Sequence, residues 1–200
     1  MGSETIRLIR DEHAAISAVL RSMSMLLDLG PGGDADRFFA ALRAMLFYID
    51  EFPERLHHPR ESDLLFPSLA RAAPQLMPVI RRLENDHMQG EGRVRQLQHA
   101  LTAWELLGEA RGQEFMQGAR EYIAFYLDHM HTEETQLLPE AGKLLSPRQW
   151  KEIDTIFCAG HEDWAGMNGD PAFDKLFTRI VLAAPAPIGV GPSLERADTV

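Results

Sequence analysis

Histidine and glutamate recur in this sequence at a spacing that suits metal binding. Three of the eight histidines have a glutamate four residues later, where chance placement at this composition gives about one such pair. The three pairs are His57–Glu61, His87–Glu91 and His129–Glu133. In an α-helix, residues four apart differ by about 40° in direction and about 6 Å in height. A histidine and a glutamate so placed reach the same metal ion, or neighbouring ions, without distortion of the backbone.

The His-x-x-x-Glu motif belongs to an internal repeat. Residues matched at an offset of 72 are His57, Glu61, Leu65 and Pro67 in the first copy and His129, Glu133, Leu137 and Pro139 in the second. Upstream, the segment from Ile9 to His13 resembles the segment from Leu83 to His87 at an offset of 74. A helix with one histidine therefore precedes a helix with His-x-x-x-Glu, twice over. Two such hairpins about a pseudo-twofold axis turn all four histidine-bearing faces inward.

The elements that position these residues are predicted to be helices. Apolar residues follow the helical period almost throughout, and no run alternates as a strand does. We predict long helices at about 4–29, 34–57, 75–107 and 113–137, with Pro53 and Pro59 bending the second. A capping box at Ser146 and Gln149 starts a fifth helix to about Ala159, and a shorter one ends near Ala183.

These elements predict an all-α fold, an up-down antiparallel four-helix bundle with one or two additional short C-terminal helices. Residues 1–200 are read as a single domain, with the bundle at about 3–145 and a C-terminal extension and tail at about 146–200.

The donor set limits the metal. Neutral imidazoles with carboxylates suit iron or manganese, and zinc is a poorer match because it usually takes four ligands. No cysteine contributes, which excludes an iron–sulfur cluster. Six protein ligands on one octahedral ion leave no place for a substrate. Two ions bridged by both glutamates leave positions for an oxo group, O₂, NO or peroxide. Two metals are therefore favoured, and a site with a single metal stays an open alternative.

At these residues the sequence resembles the hemerythrin-like family, the histidine–histidine–glutamate cation-binding bundles. The similarity covers about residues 5–145 and is strongest in His57-His58-Pro59-Arg60-Glu61 followed by Leu64-Leu65-Phe66-Pro67. The resemblance implies two irons with an oxo or hydroxo bridge. It further implies that Glu61 and Glu133 bridge the irons and that the terminal ligands are His13, His57, His87 and His129.

The sequence departs from the oxygen-carrying members of the family in two places. Glu91 stands where those proteins have a second histidine, and His129-x-x-x-Glu133 replaces their His-x-x-x-x-Asp motif. These departures do not favour reversible oxygen carriage. The pattern is closer to bacterial di-iron proteins linked to nitrosative and oxidative stress and to iron-centre repair. Glu91 is a candidate further ligand, or else a carboxylate that faces solvent or orients His87.

Other histidines, tyrosines and glycines have simpler interpretations. His58 and His131 lie about 100° around their helices from the candidate ligands. This favours positions on the surface, or beside the ligands without contact to the metal. His99 is too far along its helix, and His161 is read as structural. The tyrosines Tyr48, Tyr122 and Tyr126 are predicted to pack in the core. Gly90 and Gly92 admit either a small ligand or a close helix contact.

Composition narrows the function. The net charge of −10 and the lack of basic runs argue against nucleic-acid and membrane partners. One cysteine, Cys158, agrees with a reducing cytoplasm, and no signal peptide or membrane span is expected.

We therefore predict a cytoplasmic di-iron protein that handles O₂, NO, peroxide or iron itself, with a binding or sensing role first. No catalytic residue outside the metal site is predicted. The alternatives are a di-iron oxidoreductase and a helical scaffold with one adventitious ion. An exposed helical face is compatible with a homodimer.

Overall fold

The computed structural model describes residues 4–162 and 171–184, and every structural statement below concerns that part of the chain. The first helix, α1 (Glu4–Leu29), ends at Gly30, whose φ of 68° turns the chain out of the helix. Asp34 then accepts a hydrogen bond from the Arg37 amide at 3.1 Å and caps the next helix.

The second bundle helix is one continuous helical segment that changes its winding. Its parts are α2 (Ala35–Ile49), the π-helical π1 (Asp50–His57), α3 (His58–Arg60), the π-helical π2 (Glu61–Leu65) and α4 (Phe66–Ala72). The expected end at His57 is therefore wrong, because the helix continues to Ala72. A proline lacks an amide donor and its ring crowds the carbonyl four residues earlier, and the wider π turn accommodates both defects.

The third and fourth bundle helices repeat this plan. A short 3₁₀ turn, Pro74–Leu76, precedes α5 (Met77–Leu107). Gly108, with φ 90°, and the 3₁₀ turn Glu109–Arg111 lead into the last bundle helix. That helix comprises α6 (Gly112–Thr132), the π-helical π3 (Glu133–Leu137) and α7 (Leu138–Leu144), so it also runs past its predicted end. The segments π2 and π3 occupy matching places in the two repeats.

The four helices pack in a ring in chain order, α1 against α2, α2 against α5, α5 against α6 and α6 against α1. Turns of a few residues join successive helices, so chain neighbours run antiparallel. No strand occurs among the described residues. The all-α bundle prediction is confirmed.

Two helices follow the bundle, as predicted. The Ser146 capping box is confirmed, since the Ser146 amide donates to Gln149 Oε1 at 2.9 Å ahead of α8 (Pro147–Glu162). The Thr5 hydroxyl donates to Asp154 of α8 at 2.7 Å. A last helix, α9 (Pro171–Ala183), packs on α2. The side chains of Cys158 and His161, and the tail from Pro185, lie outside the described residues. No described helix is long and apolar enough to cross a membrane.

The apolar core has two parts, and the histidines lie between them. One part, the Trp104 core, includes Ile16 and Val94, and the other, the Phe66 core, includes Ile9 and Leu83. His13 lies between Ile9 and Ile16 on α1, and His87 lies between Leu83 and Val94 on α5. A polar layer thus crosses the bundle where the two apolar parts meet.

Candidate metal centre

Six of the seven predicted ligands meet in this polar layer. They form two overlapping groups of four buried residues whose donor atoms all lie within 4.8 Å of one another. We call the group with His13 and His57 the first position and the group with His87 and His129 the second position. Glu61 and Glu133 belong to both groups.

In the first position, the donor atoms converge from three helices. His13 Nε2 lies 3.1 Å from His57 Nε2 and 3.1 Å from Glu133 Oε2. His57 Nε2 lies 3.5 Å from Glu61 Oε1. Ligand atoms about 2.1 Å from a common ion and roughly at right angles lie about 3 Å apart, so these separations suit a shared cation.

The second position has the same plan. His87 Nε2 lies 3.2 Å from His129 Nε2 and 3.6 Å from Glu61 Oε2. His129 Nε2 lies 3.7 Å from Glu133 Oε1. Each glutamate therefore turns one carboxylate oxygen to each position, which is the arrangement of two bridging carboxylates.

The buried carboxylates test whether a cation fits here. Glu61 and Glu133 are fully buried, and among the described residues none of their four oxygens accepts a hydrogen bond of good geometry, although Glu133 Oε2 lies 3.1 Å from His13 Nε2. Burial, and then the neighbouring Glu133, raise the pKa of Glu61 well above its usual value. The ionised form of a buried carboxyl group is costly without a compensating charge, and a cation between the two groups removes that cost. The donor set fits a metal ion at each position.

Two of the four histidines, His57 and His87, favour the neutral form that binds metal. Burial lowers the pKa of His57, and burial with the nearby His129 lowers that of His87 to about 3. His13 differs: burial lowers its pKa, but Glu133 and Glu134 together raise it above the usual value.

Each histidine turns its other ring nitrogen, Nδ1, toward a polar side chain. These outer pairs are His57–Glu12 at 2.7 Å, His87–Ser62 at 2.9 Å, His13–Glu134 at 3.0 Å and His129–Asp86 at 3.5 Å. An acceptor at Nδ1 fixes the tautomer that leaves Nε2 free for a metal. These partners were not predicted from the sequence, although each directly precedes or follows a predicted ligand in the repeat.

Glu91 does not join the cluster, which corrects the expectation that it is a further ligand. Its side chain is half exposed and pairs with Arg95 one helical turn further on. His87 is buried on the inner face of α5, whereas Glu91 lies on the exposed side of the same helix. His99 and His131 are also exposed, and for His131 a surface position was one of the two predicted alternatives.

A buried polar chain lies beside the second position. The Tyr126 hydroxyl lies 2.5 Å from His58 Nε2, His58 Nδ1 lies 3.3 Å from Glu54 Oε2, and the Tyr122 hydroxyl donates to Glu54 Oε1 at 2.9 Å. The His58 ring stacks on His87 with 3.9 Å between ring centroids. His58 is thus an outer residue, but buried rather than on the surface, and the tyrosines are core residues that also hydrogen-bond.

Gly90 makes room for this chain. A Cβ atom at Gly90 would lie 2.6 Å from Glu54 Oε1, whereas one at Gly92 would meet nothing within 4 Å. The close approach that Gly90 permits is therefore that of the Glu54 carboxylate. Glu54 was not singled out from the sequence, although it stands four residues before His58.

The fold and the site together define a helical bundle with a buried histidine–glutamate cluster for cations. The family model described as the hemerythrin HHE cation-binding domain matches residues 4–141. This match covers more than half of the chain, and the chain belongs to that family. The family prediction is confirmed. No curated protein matches the chain.

Proposed function

We propose that this chain is a non-haem di-iron protein whose centre binds a small ligand, O₂, NO or peroxide. The observation that carries the proposal is the sharing of Glu61 and Glu133 between two groups of donors, one oxygen to each. Membership of a cation-binding family supports it. Iron suits this mixture of imidazole and carboxylate, manganese fits the same donors, and zinc fits them less well.

The residues of the chain have distinct tasks in this proposal. The Nε2 atoms of the four histidines hold the metals terminally, and the two glutamates hold them together. The Trp104 core and the Phe66 core exclude bulk water from either side. When bound, the irons supply redox chemistry and open coordination positions for the small ligand.

We infer a sensing or protective role in the cytoplasm, in the response to oxidative or nitrosative stress or in the maintenance of iron centres. Similarity to bacterial di-iron proteins at the His57–Pro67 motif supports this role. Its partners would be the small ligand and, through an exposed face, a second copy of the chain.

Ligand binding by the iron-loaded protein tests the proposal. Anaerobic addition of NO to the diferrous protein should change the absorption spectrum and saturate at a fixed ratio to iron. The matched control is His131→Ala, which removes an exposed histidine two residues from His129. It should behave as wild type, whereas His129→Ala should lose the signal. An unchanged wild-type spectrum would contradict the proposal.

A second candidate, a di-iron oxidoreductase acting on peroxide, NO or a small substrate, is favoured by the buried chain from Tyr126 to Tyr122. These hydroxyls place protons next to the second position. Catalytic consumption of peroxide that Tyr126→Phe slows would favour the enzyme. Stoichiometric binding without turnover would favour sensing. If the wild-type protein holds as little metal as its His57→Ala variant, the chain is a helical scaffold with an adventitious ion.

A further inference from the structure

The internal repeat also includes the residues that face the Nδ1 atoms of the candidate ligand histidines. At these positions the residue types differ between the two copies. Glu12 precedes His13 as Asp86 precedes His87, and Glu134 follows Glu133 as Ser62 follows Glu61. Each of these four residues faces the Nδ1 atom of a histidine on another helix. The plan is twofold, but the side chains are not. The first position has two glutamates, and the second has an aspartate and a serine.

The two kinds of outer partner make different contacts. Glu12 and Glu134 lie 2.7 Å and 3.0 Å from the Nδ1 atoms of the first position. In the second position, the aspartate at 86 is one methylene shorter and stays 3.5 Å from His129 Nδ1, which has no hydrogen-bond partner. The other contact there is with the uncharged Ser62 hydroxyl, 2.9 Å from His87 Nδ1.

Of the two glutamates behind the first position, Glu12 is the better supported. The Glu12 side chain is only 4% exposed, and Arg60 donates to its second oxygen at 3.2 Å. This arginine lies over the ring of Phe157 in α8, which holds it in place. Glu134 is more open, with 41% of its side chain exposed.

A carboxylate that accepts the Nδ1–H bond fixes the ring and makes Nε2 a stronger donor to a metal. Loss of such a partner typically lowers metal affinity by about 10–100-fold. A charged acceptor forms a stronger hydrogen bond than a hydroxyl. Two such acceptors support the first position, while one hydroxyl and a distant carboxylate support the second.

We propose that the two metal positions are unequal, and that Glu12 and Glu134 are positioning residues that make the first position the tighter one. The first metal ion binds between His13 and His57, and the ion between His87 and His129 is the one that exchanges. This inference rests on the proposed dinuclear site and adds an order of loading to it.

Exchange of the outer residues between the two positions tests the inference. Metal-free full-length protein is titrated anaerobically with Fe²⁺ and separately with Co²⁺, and two stepwise dissociation constants are determined. Glu12→Asp with Glu134→Ser gives the first position the partners of the second. Asp86→Glu with Ser62→Glu does the reverse. Glu140→Ser is the control for Glu134→Ser, because Glu140 is similarly exposed at 38% and forms an ion pair with Lys143 within α7.

The ratio of the two constants decides the outcome. Repulsion between two cations separates the constants in any dinuclear site, but the ratio is smallest when both positions are equal. We therefore expect both exchanges to shrink the wild-type ratio by about 10-fold or more, with two metals still bound and the control unchanged. If Ser62→Glu fails to fold, the Glu12→Asp and Glu134→Ser protein alone decides.

Two results overturn the inference in different ways. A ratio that stays the same in the exchanged proteins would show that repulsion alone separates the steps, and the dinuclear site would stand. A wild-type protein that binds fewer than two metals would overturn the dinuclear proposal, and the inference with it.

Discussion

At the scale of the residue, the four candidate ligand histidines are buried, as is the neighbouring His58, whereas two other histidines are not. His13, His57, His87 and His129 are all at most 9% exposed, while His99 and His131 lie on the surface. A buried imidazole needs a partner for each ring nitrogen. In this chain the Nδ1 atoms face outer side chains and the Nε2 atoms face one another, so a metal is the partner that the Nε2 atoms require.

Replacement of one ligand should therefore remove metal where replacement of its exposed neighbour does not. His129→Ala should lose at least half of the bound iron, because the second position keeps only one imidazole. His131→Ala should keep the full iron content. Elemental analysis of both purified proteins measures the difference, and equal iron contents would show that His129 is not a ligand.

The raised pKa of the buried Glu54 carboxyl group makes the stability of the protein depend on pH. Burial, opposed by the Tyr122 hydrogen bond and reinforced by the charges of Asp50 and Glu91, raises the pKa of Glu54 from 4.5 to about 8. Because the folded protein binds this proton more tightly than the unfolded chain, the stabilisation is complete below about pH 4.5 and is lost as the pH rises to about 8.

Comparison with Glu54→Gln isolates this effect. The variant keeps an acceptor for Tyr122 but has no proton to lose, so the wild type should weaken relative to it by a few kcal/mol between about pH 5 and pH 9. Urea unfolding of both proteins, in the same metal state, measures the difference in free energy of unfolding. A difference that does not vary with pH would contradict the assignment of a raised pKa.

The six clustered site residues could be predicted because helical spacing and the repeat both mark them. The outer partners could not, since each of these contacts joins two helices and spacing within one helix carries no record of it. Glu91 was predicted wrongly for a related reason. Its spacing from His87 is right, but the side chain faces solvent and pairs with Arg95.

At the scale of the element, the π-helical winding of three segments could not be predicted from the sequence pattern. Prolines at 53 and 59 predicted bends; in the structure Pro53 lies within π1, and Pro59 lies in the short α3 between π1 and π2. The Phe66 and Leu138 amides bond to the Glu61 and Glu133 carbonyls, five residues back. Whether a helix bends or widens at a proline depends on packing with other helices, which the local sequence does not contain. Glu61 and Glu133 each begin such a segment.

Gly90 in α5 provides a test at this scale. Gly90→Ala places a methyl group 2.6 Å from the Glu54 carboxylate, so we expect a loss of about 1–3 kcal/mol in the free energy of unfolding. Gly92→Ala is the matched control, since nothing lies within 4 Å of its added Cβ. It should gain up to about 1 kcal/mol from helix propensity. Similar effects in the two variants would contradict the close approach of Glu54.

At the scale of the whole molecule, the C-terminal helix α8 connects to the metal centre through one side-chain path. Phe157 of α8 is fully buried under Arg60, Arg60 bonds Glu12, and Glu12 bonds His57. The Thr5–Asp154 hydrogen bond joins the same helix to the start of α1. The sequence predicted α8 but not this contact, because it depends on where the extension packs.

Removal of the Phe157 ring should affect both stability and metal retention. Phe157→Ala should cost about 3–5 kcal/mol, as for other buried aromatic residues, and should speed iron loss to a chelator because Arg60 loses its support. Ile156→Ala, at a neighbouring position that is 56% exposed, should change neither property. If Phe157→Ala lowers stability but leaves the rate of iron loss unchanged, α8 has no influence on the centre.

The number of metal ions per chain tests the central claim most directly. Protein expressed in iron-replete medium is analysed for metals, and its absorption spectrum is recorded before and after exposure to air. We predict about two irons per chain and the charge-transfer bands of a bridged ferric pair after oxidation. Zinc in place of iron, or a single metal that remains in His129→Ala, would contradict the di-iron centre and leave only the cation-binding bundle.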